Sequence, residues 1–229
     1  MSLLAAAGHH VTLVCATSGG QSSGPRSELA DIRIEETHKA ATELGVATTL
    51  FLGYDDSGLL GEVKSGFAHV RVSEAAETLA QALEGQHRPV DALITYDSDG
   101  IYGHPDHVQV HHVGILAAQL VGIGCVYEAT VDREYLHFVE THLVVEAGLE
   151  ERPQSYGLSS THIGRSTLEI TTVIDVASEL ATKKRAMAAH QSQLPADAAV
   201  FALNEGNFAA VYGQEWYVRR GPIGPLESL

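Results

Sequence analysis

Val90 to His112 reads VDALITYDSDGIYGHPDHVQVHH, and the order of chemistry along it decides the fold class. VDALITY is apolar and rich in β-branched and aromatic residues, which predicts a strand over 90–96 apolar enough for the centre of a sheet. SDGIYGHPDH follows as a polar loop. Pro105 stands near the first turn of the next helix, where its fixed φ fits and its missing N–H is not needed. A helix is expected from about residue 105 to 120.

The same grammar recurs on either side. VTLVCA (11–16) is a short apolar strand, and the glycine- and serine-rich TSGGQSSGPRS after it is a loop. From Glu28 to Leu44, Leu29, Ile32, Ala40, Ala41 and Leu44 are spaced as one helix face, and Gly45 stands where a closing glycine would. TTLFLGY (48–54) is the next strand, YDDSGLLG a loop and about 73–85 a helix. Strands alternating with helices predict one α/β domain over residues 1–229, a Rossmann-like three-layer α/β/α sandwich with a mostly parallel sheet. Ligands then collect at the carboxyl ends of the strands, where the loops 55–61 and 97–107 would lie. Beyond residue 125, CVYEATV, HLVVEA and LEITTVIDV are strand-like, whereas ERPQSYGLSS has no clear periodicity. A last helix is expected from about Asp175 to Gln191, with a loose tail from about residue 221.

Composition narrows the partners. With 45% hydrophobic and 19% charged residues the chain can bury a core. A formal charge of −15, from 29 acidic against 14 basic residues, repels a phosphate backbone and makes nucleic acid an unsuitable partner. No run of 18 uncharged apolar residues occurs, so no membrane span is expected, and the opening lacks the basic region of a secretion signal. A cytoplasmic protein is the default, and a homo-oligomer stays open. Cys15 and Cys125 lie in apolar stretches without a C-x-x-C pair and are expected to be buried thiols.

Chemistry concentrates in Tyr102–His112. His104 and His107 are three apart, with Asp106 between them and Tyr102 just before. Neutral imidazoles suit zinc, and an aspartate can fix a ring tautomer or raise a histidine's basicity. Metal binding, acid–base work and chance histidines at a helix start all fit this spacing. His107 and His111 stand four apart on one helix face, but His111 and His112 read more simply as partly buried helix residues. His9 and His10 suit a solvated turn, and His190 suits packing of the last helix or support of the site. TSGGQSSG is not followed by G-K-[ST] and there is no G-x-G-x-x-G, so a nucleotide-binding reading lacks its motif.

YDSDGIYGHPDHVQVHH resembles the second signature of the LmbE-like (PIG-L) zinc-dependent N-deacetylases. Supporting segments occur in the family's order: GHHVTLVCATSGG, IRIEETHKAATELGV, LGYDDSGL and KKRAMAAHQSQLP. The resemblance implies that His107 is a zinc ligand, and that His104 is a protonated histidine acting on the carbonyl or the departing amine. It implies that Asp106 orients and tunes His104, and that Tyr102 closes over the substrate and stabilises the oxyanion. It further implies that Arg33, in an R-x-x-E pattern with Glu36, reaches the substrate, and that Asp56 lies near the sugar. The implied reaction removes an acetyl group from an N-acetylglucosamine-type sugar or conjugate with Zn2+.

One departure stands out. The family opens with a strand ending in A-H-P-D-D-E, which carries a histidine and an aspartate ligand and the general base, and no such segment is present here. The expectation is a chain that starts inside the following helix, with the family's first strand missing, as when an internal methionine is taken as the start. The alternative is a catalytically inactive small-molecule binder of the same fold.

Overall fold

The structure, a computed structural model, describes residues 1–19, 26–139 and 163–229. The chain runs through Ser2–Ala6 (α1), Thr12–Thr17 (β1), Arg26–Glu43 (α2), Thr48–Tyr54 (β2), Val72–Glu84 (α3) and Ala92–Tyr96 (β3). Then come the single turn Gly100–Gly103 (α4), Pro105–Val121 (α5), Cys125–Thr130 (β4) and Arg133–Phe138 (α6). Thr172–Asp175 (β5), Leu180–Ala188 (α7), Ala199–Ala202 (α8), Glu205–Tyr212 (α9) and Gln214–Arg220 (β6) complete it. Local signals act as expected: Pro105 opens α5, and Gly45 (φ 69°) and Gly122 (φ 81°) take the left-handed conformation at the ends of α2 and α5.

β1 pairs with β2 in parallel, Thr12 opposite Thr48, and β3 pairs with β4 in parallel, Ala92 opposite Cys125. β6 lies antiparallel between β4 and β5. Because β-α-β crossovers are right-handed, the step from β1 outward to β2 and the steps from β2 to β3 and from β3 to β4 put α2 and the α3–α5 pair on opposite faces. Three layers result. On the α3–α5 face Val14, Leu93 and Val126 meet Leu83, Ala118 and Ile123; a second cluster gathers Cys125, Tyr127, Ile174, Val176, Tyr217 and Leu226. No described helix is long and apolar enough to cross a membrane.

Four expectations are corrected. First, β3 is not a central strand: the sheet is split in two, β1–β2 and β3–β4–β6–β5, so β3 ends its half. β1 and β3 line one mostly apolar cleft of about 1230 Å³, together with Leu3, Leu4, Ala40, Leu79, Leu83, Val113 and Met187. None of the six β1 residues is buried, although helices cover the sheet on both faces, whereas five of six in β4 are. Second, Asp175 closes a strand and the last helix of the KKRAM segment spans only Leu180–Ala188. Its partner strand β6, QEWYVRR, went unread because charged residues flank Trp216 and Tyr217. Third, the tail is packed: Leu226 is buried, and Glu227 accepts hydrogen bonds from Tyr127, Thr172, Arg219 and the Gly224 N–H. Fourth, Cys125 is buried but Cys15 only partly so. HLVVEA and ERPQSYGLSS lie outside the described residues.

Candidate functional site at the carboxyl edge of the sheet

β3 ends at Tyr96, and Asp97 turns the chain. Asp97 is fully buried; its Oδ1 accepts the N–H groups of Asp99 (3.1 Å) and Ile101 (2.8 Å), and its Oδ2 accepts Thr130 Oγ1 at 2.5 Å on neighbouring β4. This fastens the 97–103 turn across the sheet edge and presents Tyr102, His104 and His107 together. The His104 and His107 ring centroids are 4.9 Å apart; Tyr102 stands edge-on to His107 at 5.2 Å and to His104 at 6.1 Å. Tyr96 stacks on His107 at 4.2 Å.

Two contacts set the imidazole tautomers. His107 Nδ1 lies 3.4 Å from the Gly100 carbonyl, which can only accept, so the ring proton belongs on Nδ1 and Nε2 keeps its lone pair. The Asp106 N–H donates to His104 Nδ1 at 3.2 Å, which leaves His104 Nε2 to carry a proton. Burial, then the neighbouring His104, holds the His107 pKa below the ordinary histidine value. At neutral pH His107 is therefore an uncharged ligand or base. Burial raises the Tyr102 pKa, so Tyr102 remains a phenol able to donate.

The Asp106 carboxylate does not orient His104. Its Oδ2 accepts the Ser57 N–H (3.0 Å) and its Oδ1 the Ala68 N–H (3.1 Å), with Ser57 Oγ also accepting from Ala68 at 2.8 Å. Asp106 instead anchors the 55–69 loop to α5. The reason is geometric: the side chain of a second helical residue leans back over the helix start, here onto that loop. Asp56, on the same loop, caps its own turn through Gly58 N–H at 2.8 Å. Arg33 reaches the Gly19 carbonyl just past the carboxyl end of β1, on the same edge of the sheet as His107. Glu36, three residues on, is buried and accepts Ser192 N–H (2.7 Å) and Oγ (2.6 Å), joining α2 to the turn after α7. His111 is buried on α5, and its Nδ1 donates to the Tyr96 carbonyl at 3.0 Å.

A zinc ion suits the chemistry of this set, since a neutral His107 with a free Nε2 is a good donor. The number falls short: among the described residues no three His, Cys, Asp or Glu side chains gather as a metal site. Asp97, Gly100 and Ser57 were missed by sequence reasoning. Asp97 had a signal, being the first polar residue after a buried strand; Ser57 had none.

The fold and site define a Rossmann-like α/β protein with an imidazole–phenol cluster at the carboxyl edge of its parallel strands. The chain belongs to the PIG-L family: the family model described as GlcNAc-PI de-N-acetylase matches residues 1–118. It is 32% identical over 248 residues to 1D-myo-inositol 2-acetamido-2-deoxy-alpha-D-glucopyranoside deacetylase 2 of Catenulispora acidiphila, covering 95% of this chain and 81% of that one. To the corresponding deacetylase of Streptomyces griseus it is 35% identical over 234 residues, 89% of this chain and 72% of the relative. Among solved structures, N,N'-diacetylchitobiose deacetylase from Pyrococcus horikoshii superposes with a TM-score of 0.58 at 20% identity, covering 96% of this chain and 76% of that chain. GalB, a 4-carboxy-2-hydroxymuconate hydratase from Pseudomonas putida, gives 0.59 at 15%, covering 97% and 88%. At such identities the structures speak for the fold alone.

Proposed function

We propose that this chain is a zinc-dependent amide hydrolase that removes the acetyl group from an N-acetylglucosamine conjugate. The carrying observation is the meeting of Tyr102, His104 and His107 at the carboxyl edge, in a chain whose relatives are named as deacetylases of such a sugar on inositol. His107 would offer Nε2 to the metal. His104 holds a proton on Nε2 for the departing amine nitrogen, and the Tyr102 hydroxyl donates to the acetyl oxygen as charge builds there. Arg33 and Asp56 would bind the sugar's polar groups. Zinc held there would supply Lewis acidity at the acetyl carbonyl and make the attacking water more acidic. In a chain extended upstream and loaded with zinc, amine release from an N-acetylglucosaminyl inositol, lost in both His107→Ala and His104→Ala, tests the reading; retention in both rejects it.

The cleft bears on how the ligand shell is completed. Met1, the residue before α1, lines the cleft, and the start of β6, whose Trp216 lies opposite Thr130 at the carboxyl end of β4, lines it too. A strand between β1 and β3, joined through α1 to β1, would be a right-handed β-α-β unit, and its carboxyl end would arrive beside His107. It would also partner His190 Nδ1, which lines the cleft buried and without a hydrogen bond among the described residues. This reading gives the deacetylase its remaining ligands and base on a further strand seated in the cleft. The incomplete ligand set favours a second reading, in which the chain binds an acetylated sugar without turning it over.

A further inference from the structure

Beside the site, Ile101 has φ 66° and ψ −56°, a γ-turn conformation that a β-branched residue avoids. Among the described residues only His87 and Ile101 combine a side chain with positive φ. Such backbone persists when its surroundings hold both of its polar groups. The Ile101 N–H donates to buried Asp97, and its carbonyl accepts the Gly164 N–H at 2.8 Å.

That second anchor comes from a distant part of the chain and is tightly built. Gly164 sits at φ 64°, and a Cβ there would lie 2.2 Å from the Val131 carbonyl oxygen, so the segment approaches this closely only as glycine. Arg133 holds the segment from the other side, donating to the carbonyls of Gly164 (2.7 Å) and Ile163 (3.2 Å). Arg165 continues the grip. Its N–H donates to the Val131 carbonyl at 2.9 Å, and its guanidinium donates to Ser98 Oγ and pairs with Asp99 at 3.1 Å and Asp97 at 3.9 Å. With 18% of its side chain exposed, Arg165 lies folded over the turn, with one further ion pair among the described residues, to Glu169 at 3.9 Å, outside it.

We infer that Arg165, with Gly164, is a positioning residue that locks the Asp97–Gly103 turn and so aims Tyr102 across His107. Tyr102 directly follows the strained residue, and a turn of Ile101 into the ordinary helical region would swing that ring away. The same turn carries the Gly100 carbonyl that meets His107 Nδ1. The planar fork of arginine suits a clamp over several acceptors, and lysine reproduces its charge but not its reach to several at once.

The test is 19F NMR of the full chain carrying 3-fluorotyrosine at Tyr102, with thermal unfolding followed in parallel, for the unsubstituted protein, Arg165→Ala, Arg165→Lys and Ile101→Gly. The expected result is one narrow resonance displaced from free 3-fluorotyrosine in the unsubstituted protein. It moves at least halfway to the free position, or splits, in Arg165→Ala at temperatures where the fold is intact, and Arg165→Lys recovers part of the displacement. Ile101→Gly, which accepts positive φ and leaves the clamp untouched, keeps the displaced resonance, and Arg165→Lys decides if the alanine variant does not fold. A resonance unmoved in every folded arginine variant overturns the inference, leaving Arg165 as a structural ion pair. Neither metal nor substrate is used, so a failure here is distinct from a failure of the deacetylase reading.

Discussion

Asp106 Oδ2 accepts the backbone N–H of Ser57 at 3.0 Å, so the loop that carries Asp56 is fastened to the first turn of the helix that carries His107. Asp106 is buried and also holds the Ala68 N–H, whereas Asp56 is partly exposed and caps only its own turn. Asp106→Ala would leave the Ser57 amide without its acceptor in a buried place and should destabilise by about 1–3 kcal/mol. Asp56→Ala should cost less. Urea unfolding of both variants checks the order, and equal losses would show that the anchor contributes nothing beyond a surface turn.

Gly100 packs its backbone closely against His107. It has φ 61°, and a Cβ there would stand 2.7 Å from His107 Cβ. Gly100→Ala should therefore displace His107 as well as strain the turn, at a cost of roughly 1–3 kcal/mol. In a chain extended upstream, amine release should fall at least tenfold, with a smaller relative loss of thermal stability. Full activity in a folded Gly100→Ala protein would contradict the placement of His107.

Cys15 provides a pH test. Burial pushes its thiol up to about 11 from an ordinary 9.0. A folded-state pKa above the unfolded one gives stability that is fully present below about pH 9 and lost as pH rises through about 11. In a Cys125→Ser background, Cys15 should react slowly with a disulfide reagent at pH 8 and speed up only toward pH 11. A rate at pH 8 matching a free thiol would show that the thiolate forms readily.

How far the sequence could be read depended on how local each feature is. β3, the following turn and α5 were legible because strand composition and Pro105 act within a few residues, and so was the grouping of Tyr102, His104 and His107 on that turn. The split sheet was not, since whether β3 has a neighbour depends on pairing across the molecule. β6 was hidden by the charges beside Trp216 and Tyr217. The spacing that put Asp106 next to His104 gives adjacency but not direction, and its carboxylate turned to Ser57 and Ala68. Arg165 lies far from the turn it grips, and no local pattern marks it.

Leu13 on β1 lines the cleft and is only partly buried. In the 229-residue chain Leu13→Ala should cost well under the roughly 2–5 kcal/mol usual for a core leucine. Extending the chain upstream by a strand that fills the space between β1 and β3 should bring the cost into that range. Unfolding measurements on the two pairs decide it, and an equal cost in both lengths would mean that the cleft does not receive a strand.

The most direct measurement combines zinc content with amine release from an N-acetylglucosaminyl inositol, for this 229-residue chain and for one extended upstream. A catalytic zinc ordinarily holds three protein ligands and a water, and a missing general base alone removes about 10²–10⁴-fold in rate. The account predicts weak zinc binding and little or no turnover for the 229-residue chain, with one zinc per chain and turnover in the extended one. Stoichiometric zinc and equal turnover in the 229-residue chain would contradict it.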